Sequence, residues 1–192
     1  YMKSAVGLGG YAKKGNLMIS YSFGQLELEG DVSAQYQGNN GSFDVTFTTA
    51  KALVTVEHPF KKIGSNVFGG LAGIRYTSQE YETELTVNGV VQDTGTGSVD
   101  EAWTDLLLGF SHTYLFSDSF VWKTTIDGGF GGSEGTVHFN TGPTWIINPS
   151  WIVRLSGDIL DTEFENGKKG DSDWYFYDAK ETTVGLSFLY TF

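Results

Sequence analysis

From residue 103 to residue 159, bulky apolar side chains recur at alternate positions, and most of what lies between them is small, polar or charged. In 103–116 one face carries Leu106, Leu108, Phe110, His112, Tyr114 and Phe116, and the other Trp103, Asp105, Leu107, Gly109, Ser111 and Thr113. In 120–130 Phe120, Trp122, Ile126 and Phe130 oppose Lys123, Thr125 and Asp127. In 137–147 Val137, Phe139, Pro143, Trp145 and Ile147 oppose His138, Asn140 and Thr144. In 151–159 Trp151, Val153, Leu155 and Ile159 oppose Arg154, Ser156 and Asp158. A period of two is the mark of a β-strand with unlike faces. In a water-soluble sandwich the apolar face is the core. Repeated on strand after strand, the small and charged face cannot be packed as one, so this pattern favours a sheet with its apolar side against lipid.

Turn chemistry divides the chain into eight such strands, around 16–30, 42–58, 66–82, 102–116, 120–130, 136–147, 151–164 and 177–192. The connections at 59–65, 117–119 and 148–150 are short, whereas those at about 27–42, 83–101, 131–135 and 163–176 are mostly longer and acidic. Asn88-Gly89 suits a hairpin tip within the second of these. Short turns at one end and longer loops at the other predict an all-β fold, an eight-stranded antiparallel transmembrane β-barrel with short periplasmic turns and longer extracellular loops. Residues 1–192 then form a single outer-membrane β-barrel domain, with 1–14 a periplasmic or unassigned N-terminal segment and both ends on the short-turn side. The last strand, "VGLSFLYTF", pairs with the first, which removes the sheet edge.

Composition agrees. Of 192 residues 26 are glycine and only 3 proline, and 15% are aromatic. No apolar run, Leu106 to Phe110 included, approaches the roughly 18 residues of a membrane helix. The chain has no cysteine, which excludes disulfides and thiolate metal sites, and its net charge of −11 argues against a nucleic-acid partner. Trp122, Trp145, Trp151, Tyr190 and Phe192 sit near strand ends, where membrane-interface aromatics gather.

Alternation also assigns the interior. Lys51, Arg75, Lys123 and Arg154 point inward, as do Glu57, Asp105, Asp127, Asp158, Glu181 and His138. Four cations against five anions can fill a narrow barrel as an ion network, since an eight-stranded interior is just wide enough for side chains and a buried charge needs a partner. Arg154 is expected to contact Asp127, Asp158 or Glu181. In "GQLELEG" the leucines and glutamates change parity relative to Leu17, Ile19, Tyr21 and Phe23. Either a bulge at Gly24 turns Glu27 and Glu29 inward, or the strand has already left the membrane.

Other chemistry is thinly supported. Ser111 neighbours His112, but adjacent strand residues face opposite ways and cannot form a hydrolytic pair. His58 lies beside a turn, and no outward serine accompanies His112. "GLGG" and "GGFGGSEG" lack the lysine and the helix start of a phosphate loop. "DTEFENGKKGDSD" has carboxylates for a hard cation or for cation-bridged lipopolysaccharide, without the spacing of a calcium loop. No catalytic residue, metal site or cofactor is therefore assigned.

The terminal strand, with alternate Val184, Leu186, Phe188, Tyr190 and final Phe192, is similar to the C-terminal signal of Gram-negative outer-membrane barrels. Asp127-Gly128-Gly129-Phe130-Gly131-Gly132-Ser133, with Asp178 and Gly185-Leu186-Ser187-Phe188, resembles a group of small eight-stranded members over roughly 43–192. The resemblance implies location in the cell outer membrane, contact with outer-membrane lipid and lipopolysaccharide, and recognition of the last strand by the barrel-assembly machinery. The function expected is non-enzymatic: a filled barrel with a structural or interaction role, with envelope protein partners. The alternatives are a narrow channel for small or hydrophobic solutes and a lipid-modifying enzyme.

Overall fold

The computed structural model describes residues 1–36, 39–92, 98–148, 150–171 and 174–190. It is all-β and antiparallel, with ten strands among the described residues: β1 (Met2–Lys14), β2 (Leu17–Tyr36), β3 (Asn39–Ile63), β4 (Asn66–Val87), β5 (Val90–Gln92), β6 (Val99–Ser117), β7 (Phe120–Gly131), β8 (Gly135–Asn148), β9 (Trp151–Asn166) and β10 (Tyr175–Tyr190). Each strand lies beside its neighbours in sequence, in the order β1-β2-β3-β4-β6-β7-β8-β9-β10, with β5 paired to β4 alone. The expected pairing of the last strand with the first is not made: the order is open, with β1 and β10 at its two ends and no pairing between them among the described residues.

The expectation of eight strands is corrected to ten. One addition is β5, which pairs Val87 with Val90 across Asn88-Gly89; both turn residues have positive φ (52° and 78°), as a tight hairpin requires. The other is β1, which covers the segment left unassigned. Its alternation is diluted by glycine and alanine, so Met2, Val6 and Leu8 are too few to stand out. Two-residue turns led by Gly15 (φ 61°) and Gly64 (φ 56°) join β1 to β2 and β3 to β4. With β1 included, nine strands alternate in direction, so β1 and β10 run the same way. The two chain ends therefore do not share the short-turn side. Tyr1 lies at the loop end of β1, its hydroxyl donating to Glu29 Oε2 at 2.9 Å.

The chain packs as two compact units, and β1–β4 and β6 each contribute to both. The first unit (1–9, 22–52 and 76–103) holds the loop-end parts of these strands. Inside it Phe47 packs against Tyr81 with ring centroids 4.7 Å apart, and Lys3 bridges Glu27 and Glu29 at 2.9 and 2.8 Å. Both glutamates of "GQLELEG" thus face a cation while Leu28 stays exposed. The Lys3 ammonium, with the Tyr1 hydroxyl, holds the Glu29 carboxyl below the usual carboxylate range.

The second unit (10–21, 53–75 and 104–192) carries the charged face. Here the sheet is strongly coiled. Lys123 on β7 reaches Glu57 on β3, and Arg75 on β4 reaches Thr136 on β8 at 3.2 Å. Each pair lies three strands apart, about 14 Å on a flat sheet. Only a sheet curled toward this face lets those side chains touch. Glycine permits the curl. A Cβ on inward Gly142 would collide with the Leu155 carbonyl oxygen, which is backbone and cannot move aside. Gly142→Ala is expected to cost about 1–3 kcal/mol. Gly157→Ala, whose Cβ would find its nearest neighbour at 4.0 Å, should cost less than ~1 kcal/mol. Denaturant titration of the two variants checks the contrast.

Candidate functional site: a buried ion network

The inner face of the second unit is built by parity. Asp127 on β7 and His138 on β8 are direct cross-strand partners, as are Asn140 on β8 and Asp158 on β9. Side chains of such partners share a face, so neighbouring strands deliver matched groups. His138 Nδ1 lies 2.8 Å from Asp127 Oδ2, and its Nε2 3.4 Å from Asp158 Oδ1. Arg75 Nη2 donates to Asp127 Oδ1 at 3.1 Å; both side chains are deeply buried, at 5% and 6% exposure. Asn140 donates to Asp158 and accepts from Arg154, and Ser156 Oγ donates to Asp158 at 3.3 Å. A second group joins Lys123 to Glu57, whose other oxygen accepts from Ser111 Oγ at 2.6 Å.

Asp105 stands apart. It is fully buried, and its Oδ1 accepts from Gly132 N (3.2 Å), Ser133 N (2.9 Å) and Ser133 Oγ (2.8 Å). It anchors the glycine-rich link between β7 and β8 and forms no salt bridge among the described residues.

Of the inward residues named from sequence, Arg75 with Asp127 and Lys123 with Glu57 meet oppositely charged partners, and His138 lies between the carboxylates of Asp127 and Asp158. Glu181 accepts from Tyr177 Oη at 3.1 Å, and Lys51 is half-buried on β3. Arg154 corrects an expectation: its guanidinium bonds to Asn140 rather than to Asp127, Asp158 or Glu181, and its Nε is buried with no hydrogen-bond partner among the described residues. The amide lies between the guanidinium and Asp158, so the attraction acts through a shared dipole. Ser111, Ser133, Thr136 and Asn140 complete the network without being expected in it. Alternation puts Ser111, Thr136 and Asn140 on the charged face and could have found them, but nothing local marks Ser133.

The outward face has its own polar row. His112, Thr124 and Thr141 are aligned across β6, β7 and β8. His112 Nε2 meets Asn66 Oδ1 at 2.9 Å and its ring stacks on Phe68, while Thr141 Oγ1 contacts Thr124 Oγ1 (2.8 Å) and accepts from Trp122 Nε1 (2.9 Å). No serine or carboxylate bonds to His112 among the described residues. Trp122, Trp145 and Trp151 are exposed near strand ends; Phe192 and the side chain of Tyr190 fall outside the described residues. Among the described residues no group of three histidine, aspartate or glutamate side chains is arranged to hold a metal ion.

No protein-family model matches this chain, and no curated protein matches its sequence.

Proposed function

We propose that the chain is an outer-membrane β-barrel whose interior is filled by paired charges, with a structural or interaction role in the envelope and no catalysis of its own. One observation carries this reading: the sheet is built inside out. Leu108, Phe110 and Phe116 are 60%, 66% and 59% exposed, while Asp105, Arg75 and Asp127 are buried. In water that arrangement forfeits apolar burial and pays for desolvated charge. In lipid it is the stable one.

The dimensions support it. The apolar outward runs Leu106–Phe116, Phe120–Phe130 and Val137–Ile147 are eleven residues long and Trp151–Ile159 is nine, against the ~9–11 of a transmembrane strand. Lys180 and Asp161, paired at 3.0 Å, follow the apolar run on β9 and β10. At the short-turn end Tyr114, Phe116, Phe120 and Trp145 form a chain of rings at 4.7, 5.2 and 5.2 Å, which suits an interfacial girdle. The polar groups of the outward row are each hydrogen-bonded, His112 to Asn66 and Thr124 to Thr141, as a face without water demands. Since β1 and β10 run the same way, closure of these nine strands on themselves takes one parallel pair.

Membrane fractionation tests the reading. The protein is expected to resist carbonate extraction and to need detergent, migrating differently in gels before and after heating. A folded monomer soluble without detergent would overturn it.

A further inference from the structure

We propose that His138 is a protonation-dependent strap that locks the interior network across β7, β8 and β9. This rests on the barrel reading above for its purpose, and on geometry for its chemistry. Both ring nitrogens face carboxylate oxygens, Nδ1 toward Asp127 at 2.8 Å and Nε2 toward Asp158 at 3.4 Å. A carboxylate only accepts, so each contact is a hydrogen bond only when its nitrogen carries a proton. The arrangement therefore belongs to the imidazolium.

The other charged groups around the ring explain which contact yields. From β4, Arg75 holds the opposite oxygen of Asp127. From β9, Asp158 is 30% exposed and is otherwise held by the neutral Asn140 and Ser156, with Arg154 one bond further away on Asn140. β8 itself offers the ring only Thr136 and Asn140 on the inward side. Loss of one proton leaves a lone pair facing a carboxylate. The Asp127 contact is shorter, drier and backed by arginine, so the Nε2–Asp158 contact is the one that breaks. The network then divides into an Arg75–Asp127–His138 part and an Arg154–Asn140–Asp158 part, and the wall of paired side chains between them opens.

Nitrogen-15 spectra of the histidine rings, recorded on the whole chain in detergent micelles from about pH 5 to about pH 9, test this around the range where histidine titrates. The expected result is a His138 ring protonated on both nitrogens at the acid end. Its deprotonation should coincide with a shift of the Asp158 carboxyl carbon and a fall in Tm of roughly 2–4 °C or more. His138→Gln should abolish that step in Tm, and His112→Gln should leave it intact. If His138→Gln does not fold, Asp158→Asn carries the same test, because it removes the acceptor that the proton serves. A neutral His138 ring throughout the range, or a Tm step that survives His138→Gln or Asp158→Asn, overturns the proposal. These readouts do not depend on whether the protein spans a membrane, which the fractionation decides separately.

Discussion

Arg75→Met is expected to lower unfolding stability by about 3–5 kcal/mol, the usual consequence of removing one partner from a buried ion pair. The guanidinium and the Asp127 carboxylate are 5% and 6% exposed, so water cannot replace the lost charge. Arg75 also donates to Thr136 at 3.2 Å, which links β4 to β7 and β8 in one residue. Arg75→Lys should lose less, but a single ammonium cannot reproduce both bonds of the planar fork. Arg75→Met combined with Asp127→Asn should recover part of the loss, because the stranded anion is gone. Denaturant unfolding of the four proteins in one micelle system reads the series. An Arg75→Met variant within about 0.5 kcal/mol of the parent would mean that the interior is wet and wide, and a conducting channel would then be the better reading.

Asp105→Ala should be comparably severe, also about 3–5 kcal/mol, for a different reason. Asp105 forms no salt bridge among the described residues, but one of its oxygens satisfies two backbone N–H groups and one hydroxyl in the link after β7. The amide and hydroxyl of buried Ser133, stranded away from water, cost about 1–3 kcal/mol each, whereas the amide of exposed Gly132 can turn to water. Asp105→Asn keeps an acceptor in place and should lose only about half as much. Hydrogen exchange separates this local role from a global one. The amides of Gly132 and Ser133 should exchange much faster in Asp105→Ala, whereas amides in the paired stretch of β9 and β10 should follow only the overall loss of stability. Unchanged exchange at Gly132 and Ser133 would show that the link holds itself.

Much of the site is legible in the sequence. The period of two is set by the strand backbone itself, so alternation alone puts Asp127, His138 and Asp158 on one face and Leu108, Phe110 and Ile126 on the other. Hairpin connection then brings Asp127 opposite His138, because neighbouring strands in sequence are neighbours in the sheet. Turn chemistry places the Asn88-Gly89 hairpin for an equally local reason: positive φ at both positions selects asparagine and glycine.

What parity cannot reach depends on how far the sheet coils. Arg75 with Asp127 spans two steps of the sheet, and Glu57 with Lys123 spans three. No local pattern encodes that curvature, which inward glycines such as Gly142 permit by leaving room for a neighbouring backbone. The choice of Asn140 over a carboxylate by Arg154 is likewise a matter of which atoms the coiled sheet brings within reach. β1 is hidden because glycine and alanine carry almost no hydrophobic signal, and only its pairing with β2 makes it a strand. Sequence by itself determined which face each residue takes, since that is a property of one strand. Tertiary structure decided who meets whom, since that is a property of the whole sheet's curvature and strand number.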